Sequence, residues 1–486
     1  MIETHLRASQ EAQRAGDFDG MLDAARRACD SPEVNLQARF RLLECLVYCG
    51  KVNEVRADLA ELEKFADSDH RLLAHVAEMY THCADHHSSL RCFQRAVALW
   101  PESAEYHFAV SSALVATGDL DAAETHLDQA ISLNPRDFDA YRNRSTLKKQ
   151  TKDSNHIDEL ESLHANGIDT PAGQVQICYA LAKEYEDIGE DETSFTWLKR
   201  GADVRRSVLQ YKVEEDEAVV DRLITAFGEE LMKSDDTACQ EEGPVFVMGL
   251  PRSGTTLVDR ILSSHSQVDS LGEISNFVFA LMHTVGKSAA KLDLIDLSTN
   301  IDFSILGQRY VKATRSYGSK GSYLIDKTPL NYLYVGLIRK ALPNAKIVHV
   351  ERDPMDNLYG MYRMLFRAGY PFSYDFDDLG RYYVAYRKLT DHWSSVCGDA
   401  VHWMRYEDLV EDQETESRRL IEYCGLDWEP ECLEFHRNKS AVMTASSAQV
   451  RQPVYREAMG RWRRYEKPLA PLREFLEQNG IEIADA

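Results

Sequence analysis

Arg252 stands in the turn of Pro244-Val-Phe-Val-Met-Gly-Leu-Pro-Arg-Ser-Gly-Thr-Thr-Leu, and a guanidinium there offers a planar fork to a phosphate or sulfate. The apolar run Val245 to Met248 reads as a buried strand, Gly249 to Gly254 as the turn and Thr255 onward as a helix. Backbone N–H groups in such a turn, with the positive end of the following helix, form an anion site. A nucleoside triphosphatase would read G-x-x-x-x-G-K-[ST], its lysine reaching the β/γ-phosphates and its hydroxyl holding magnesium. Thr255 occupies the lysine's place. The loop therefore points to an anionic ligand without a triphosphate–magnesium group. A glycine turn that only joins strand to helix is the alternative this stretch leaves open.

Further candidates follow along the chain. Leu271-Gly-Glu-Ile places Glu273 after a second expected strand. A carboxylate near an anion site has a use as acceptor of a proton from an attacking hydroxyl, and a surface Glu capping the next helix is the alternative. Tyr323-Leu-Ile-Asp-Lys-Thr-Pro is a short apolar strand ending in Lys327, at the sheet edge where open α/β folds place ligands; a solvated loop cation would read the same. Ala345-Lys-Ile-Val-His-Val-Glu-Arg-Asp-Pro-Met-Asp ends another strand in Arg352, with Asp353 and Pro354 as cap and first residue of a helix. Arg352 could instead pair with Asp353 or Asp356. Val401-His-Trp-Met-Arg-Tyr-Glu-Asp-Leu supplies a strand with Tyr406 at its exit. The polar, basic segment from Ser446 through Gln449, Val450, Arg451, Tyr455 and Arg461 leads into an expected helix with Trp462. Met361-Tyr-Arg-Met-Leu-Phe-Arg-Ala-Gly-Tyr-Pro-Phe reads either as the lining of an acceptor cleft or as core helix followed by a turn.

Two regions of different period must position these residues. The first repeats at about thirty-four residues, the period of tetratricopeptide helix pairs. Its clearest unit runs from Ala104 to Pro135, with Gly118-Asp-Leu-Asp as the turn and Ser111, Ala123 and Ala130 as small residues where the helices approach. Units around Tyr80 and Phe93, and around Tyr185 and Leu198, match it; weaker copies surround Gly16 and Gly50, and Arg136 to Asp169 fits as a degenerate one, giving five or six. Such solenoids present a concave face to a peptide or another domain. A charged passage, Lys212-Val-Glu-Glu-Asp-Glu, precedes an expected helix from Ala218 to Met232 and a linker to Gly243. Strands then alternate with helices, the signature of a mostly parallel sheet. The expected organisation is an all-α tetratricopeptide solenoid over residues 1–205, a helical linker over 206–242 and an α/β domain over 243–486.

The 486 residues carry a formal net charge of -23, which argues against general nucleic-acid binding and requires any anion to be held by a local cluster of cations. No run of about eighteen apolar residues and no basic-then-apolar leader is present, so neither a membrane span nor export is expected, and the location expected is cytoplasmic. Ten Cys without C-x-x-C pairs fit buried thiols in a reducing compartment better than a disulfide frame or metal site.

Taken in order, Pro251-Arg-Ser-Gly-Thr-Thr, Gly272-Glu, Asp326-Lys-Thr-Pro, Arg352-Asp-Pro and Gln449-Val-Arg-Gln-Pro-Val-Tyr resemble sulfotransferases that use 3′-phosphoadenosine 5′-phosphosulfate (PAPS). The resemblance is strongest to bacterial proteins joining tetratricopeptide repeats to a P-loop-like domain related to tyrosylprotein sulfotransferases. It implies that Arg252, Ser253, Gly254, Thr255 and Thr256 surround the 5′-phosphosulfate and that Glu273 is the catalytic base. It places Lys327 near the bridging oxygen, Arg352 on the 3′-phosphate, Tyr406 at the nucleotide, and Ser446 with its segment and Arg461 on donor phosphates. Eight residues after the 3′-phosphate arginine, where the family usually has Ser, this chain has Gly360, which shifts that contact to Arg352, Arg461 and neighbours such as Arg363. A later family arginine falls on Met364. The implied reaction is in-line sulfuryl transfer to an acceptor hydroxyl without metal, releasing adenosine 3′,5′-bisphosphate (PAP), with Lys327, Arg252 and Ser446 offsetting developing charge. Kinship favours a protein or peptide acceptor such as tyrosine; a carbohydrate, lipid or small metabolite, a protein partner on the repeat groove, a homodimer, and a non-catalytic scaffold stay open. An ATP-dependent kinase is disfavoured by Thr255.

Overall fold

Among the described residues five helix pairs pack ahead of the sheet, Ile2–Ala15 with Phe18–Cys29, Leu36–Tyr48 with Val52–Phe65, His70–His82 with His86–Leu99, Ala104–Thr117 with Leu120–Leu133, and Pro171–Ile188 with Asp191–Ser207; the helices of the degenerate unit, Phe138–Leu147 and Ile157–Ala165, each pack on Pro171–Ile188 instead. The structure is a computed structural model that describes residues 1–31, 35–234, 237–286, 289–366, 369–438, 452–454 and 459–484. The unit from Ala104 shows why each pair forms. The Ser103 hydroxyl accepts from Tyr106 N–H at 3.2 Å and starts the first helix. Gly118 ends that helix at φ 97°, and Asp119 starts the second by accepting from Ala122 N–H at 3.1 Å; such caps contribute about 1 kcal/mol each. Ser111, Ala123 and Ala130 are buried between the helices. Gly201 meets the same spatial demand in the last pair, since a Cβ there would stand 2.9 Å from side-chain atoms of both Cys178 and Tyr179.

The helix expected from Ala218 to Met232 is two, Val213–Ala226 and Glu229–Lys233. Phe227 breaks it, leaving helical geometry at ψ 45°, its ring buried against Trp393 with centroids 6.3 Å apart. The charged passage before it is the helix's own first turn, with Glu214, Glu215 and Asp216 at the positive end of the dipole. Glu217 and Glu214 are held by Arg381 at 2.6 and 2.7 Å.

Among the described residues the sheet has five strands, all parallel: β1 (Pro244–Met248), β2 (Val268–Ser270), β3 (Tyr323–Asp326), β4 (Lys346–Glu351) and β5 (Val401–Arg405), in the order β2-β3-β1-β4-β5. Every residue of β1 is buried, as a central strand covered on both faces demands. Val245 is in register with Ile325 on one side and Lys346 on the other. Because β1 has β3 and β4 as its neighbours, its carboxyl end is the switch point at which open α/β sheets hold ligands. Lys327 follows β3 and Arg352 follows β4 directly, so the two cations flank the loop after β1.

Asp326, the last residue of β3, is buried and accepts from the Tyr310 hydroxyl at 3.2 Å. Burial pushes its pKa up to about 7. Unfolded Asp titrates near about 3.9. Across that window the native state keeps a proton the unfolded chain has released, so stability falls as pH rises from about 4 to about 7. Asp326→Asn is expected to flatten that decline, read as Tm against pH by calorimetry; an unchanged slope would assign the decline to other groups.

The repeats touch the second domain at both ends of the array. At the first, Phe18 stacks on His283 with centroids 4.3 Å apart, Tyr48 packs on Phe279 at 4.2 Å, and Arg56 donates to the Tyr317 carbonyl at 2.7 Å. Burial, aided by Arg309, pushes the His283 pKa down to about 4, keeping the stacked ring neutral. At the last, Tyr179 donates to the Tyr362 carbonyl at 3.2 Å and Arg206 pairs with Asp378 at 2.5 Å. No helix among the described residues is long and apolar enough to cross a membrane.

Candidate active site

The loop after β1 is held in an unusual shape from the β4 side. Arg252 has φ 70°, a left-handed conformation that costs a non-glycine residue roughly 1–3 kcal/mol. Two side chains secure it: Asn357 donates to the Pro251 carbonyl at 2.9 Å and Arg352 to the Arg252 carbonyl at 3.0 Å. Gly254, at φ 109°, caps the helix Thr255–Leu262. A Cβ at Gly254 would lie 2.5 Å from the Tyr406 ring, so that ring backs the turn, and the Arg352 guanidinium sits 4.6 Å from its centroid.

One cavity opens beside this loop. Arg252, Arg352, Arg363 and Arg461 line it together with Gly254, Thr255 and Thr256 at the helix N-terminus. Tyr359, Gly360 and Tyr406 complete the polar side, while Leu257, Phe435 and Val454 supply apolar wall. Four guanidiniums around one cavity are the local cluster that an acidic chain needs to hold an anion. Asp356 places one of them: its carboxylate accepts from Gly460 N–H at 2.5 Å and from Trp462 N–H at 3.2 Å, fixing the backbone on both sides of Arg461. Gly360 has a spatial reason. A Cβ there would stand 3.2 Å from Arg252 Cβ, so glycine leaves the loop arginine its seat.

On the β3 side lies a cleft of about 830 Å³. Lys327 Nζ donates to Glu273 Oε1 at 2.5 Å; the lysine side chain is 1% exposed and the glutamate 45%. Their backbones are clasped, with Lys327 N–H on the Gly272 carbonyl at 2.9 Å and the Thr328 hydroxyl both donating to the Ile274 carbonyl at 2.8 Å and accepting from Ile274 N–H at 3.1 Å. Gly249 N–H donates to the Pro329 carbonyl at 3.3 Å, joining the clasp to the anion loop. Buried Asp259 lines the same cleft; burial raises its pKa, with Lys327 opposing. The opposite wall comes from the repeats, through Thr81, His82 and His86.

The fold thus gathers Arg252, Gly254, Thr255, Thr256, Arg352, Gly360, Tyr406 and Arg461 about one cavity, and Glu273 with Lys327 in the adjoining cleft. Ser253 is buried beneath the loop, 1% exposed, and lines neither. Ser446, Gln449, Val450, Arg451 and Tyr455 lie outside the described residues. The basic stretch at Arg461 is a 3-10 turn, Arg461–Tyr465, rather than a solvated helix face, and Trp462 is core at 1% exposure. Met361, Tyr362 and Phe372 are also core, Phe372 stacking on Tyr382 with centroids 3.5 Å apart. Asp356 and Glu186, which hold the site's arginines, carry no signal in the sequence: each is an acid on a helix where acids are ordinary. Among the described residues no group of three His, Cys, Asp or Glu side chains is placed to hold a metal ion.

Comparison with known proteins bears on both regions. Residues 244–430 match the model of the sulfotransferase family, and residues 84–138 and 111–146 match that of the tetratricopeptide repeat. An uncharacterized protein of Aquifex aeolicus (strain VF5) is 27% identical over 467 residues, 93% of this chain and 60% of its own length, so the chain spans well under two thirds of that relative. Protein-tyrosine sulfotransferase 2 of Gallus gallus is 24% identical over 260 residues, 50% of this chain and 70% of its own. Among solved structures, the sulfotransferase domain from the curacin biosynthetic pathway aligns at 18% identity with a TM-score of 0.36, covering 50% of this chain and 100% of that one. The chain is thus similar to the sulfotransferase family over residues 244–430 and to tetratricopeptide repeats ahead of them.

Proposed function

We propose that the chain moves a sulfuryl group from PAPS to an acceptor hydroxyl, with Glu273 as general base. The observation that carries this is the juxtaposition across one loop: a cavity with four arginines on the β4 side, and a half-exposed carboxylate paired to a buried lysine on the β3 side. The residues fit the donor. The N-terminal amides at Thr255 and Thr256 with Arg252 suit the 5′-phosphosulfate, and Arg352, Arg461 and Arg363 suit the 3′-phosphate. Tyr406 and the apolar wall suit the nucleoside. Ser446 and its segment complete the set as proposed contacts.

In the reaction Glu273 takes the acceptor's hydroxyl proton as the acceptor oxygen forms the new O–S bond. The S–O bond to the 5′-phosphate breaks with its electron pair departing on PAP. An ammonium has three donors, so Lys327 can hold Glu273 and meet the leaving oxygen at once, stabilising charge where it develops. The acceptor enters through the cleft between Glu273 and the repeats. Its volume of about 830 Å³ and the protein-tyrosine sulfotransferase relative favour a hydroxyl on a protein or peptide.

Calorimetry of the full chain with PAP tests the donor assignment. Saturable binding that weakens in Arg352→Ala is expected. Absence of binding would favour a scaffold role and overturn the reading.

A further inference from the structure

The last repeat pair reaches into the donor cavity. Glu186 belongs to the repeat helix Pro171–Ile188, yet its carboxylate, 3% exposed, is held by side chains of the second domain. It forms ion pairs with Arg363 Nη2 and Arg461 Nη2, each at 2.9 Å, and accepts hydrogen bonds from Arg461 Nε at 3.1 Å and from the hydroxyls of Tyr359 at 3.1 Å and Tyr465 at 3.3 Å. Burial works to raise its pKa, but Arg363 and Arg461 outweigh burial and hold the carboxyl below its ordinary value. Arg363 and Arg461 are two of the four guanidiniums lining the donor cavity.

A side-on grip through Nε and Nη2 occupies one edge of the Arg461 fork and fixes its plane. The same carboxylate offsets the mutual repulsion of arginines crowded about one cavity. Asp356, on the second domain's own helix, lines the same cavity; Glu186 adds a further carboxylate that arrives from the solenoid.

We propose that Glu186 is a positioning residue for the donor's 3′-phosphate: a repeat-borne carboxylate that sets Arg363 and Arg461 in the orientation in which they meet that phosphate, so donor affinity depends on how the last repeat pair is seated. The inference rests on the donor reading above and adds to it a contribution from outside the second domain.

The test compares PAP with adenosine 5′-monophosphate, which lacks the 3′-phosphate, by calorimetry on the full chain. The wild type is expected to prefer PAP. Glu186→Gln is expected to cut that preference about tenfold, the scale of one hydrogen bond to a charged group, while affinity for the monophosphate holds. A merely structural role would weaken both ligands alike. If Glu186→Gln does not fold, Glu186→Asp, which keeps the charge but draws both arginines back by one methylene, is expected to lower the preference too. A preference for PAP that is unchanged or larger in the folded variant overturns the inference. A wild type that binds both ligands equally overturns instead the donor reading beneath it.

Discussion

Replacing Glu273 by Gln is expected to lower kcat for sulfuryl transfer by about 10²–10⁴-fold, the contribution of a positioned general base, while PAP affinity stays at the wild-type value. Glutamine keeps the size and an oxygen for Lys327, so the 2.5 Å contact survives as an ordinary hydrogen bond. The basic lone pair that would accept the acceptor's proton does not. Glu273 is half exposed but its partner Lys327 is buried, so a drop in Tm is expected as well, and the rate is compared on folded protein. A labelled sulfuryl donor, with the product separated from donor, reads the rate. Near-normal turnover in a folded variant would remove Glu273 from the base role and direct attention to Asp259, a buried carboxylate that also lines the cleft.

Lys327→Met should cost about 10²–10³-fold in kcat, the loss seen when one preorganised donor to developing charge is removed. Methionine fills the buried volume that the lysine stem occupies, so packing is kept. The charge balance also survives. Glu273 is half exposed to the cleft, and the Asp259 pKa, which burial raises and Lys327 opposes, moves further up once the ammonium is gone. The rate should therefore fall far more than stability. Single-turnover kinetics with saturating donor, alongside thermal melts, separates the two. Equal losses in rate and in folded fraction would make Lys327 a structural cation.

The sites that were legible in the sequence are those set by short-range pattern. Arg252 stands in the loop that β1 feeds, and Lys327, Arg352 and Tyr406 follow β3, β4 and β5 directly. An apolar run of four to six residues announces the strand, and the residue that ends it lands at the sheet's carboxyl edge. The repeat units were legible for the same reason, since each is closed by its own turn and caps. What was hidden depends on distance along the chain. Asp356 fixes Gly460 across 104 residues, so the basic segment reads as a helix face until that anchor is seen. Glu186 meets Arg461 across 275 residues, and nothing near Glu186 distinguishes it from the acids that solvate any repeat helix. The break at Phe227 was missed because helical period continues through it; only the pocket beside Trp393 draws the ring inward.

The repeats stand on the second domain at two feet, Phe18 and Tyr48 on His283 and Phe279 at one end and Tyr179 with Glu186 at the other. A solenoid grows by whole units, each adding a fixed step and rotation. With both feet planted, the span between them is a dimension the domain imposes, and the array must meet it with an integer. Among the described residues six units fit, the degenerate one included. Adding or deleting one would lift a foot from its footing, so this solenoid's length is locked to the width of the domain it straddles, where a free-standing array could lengthen one unit at a time.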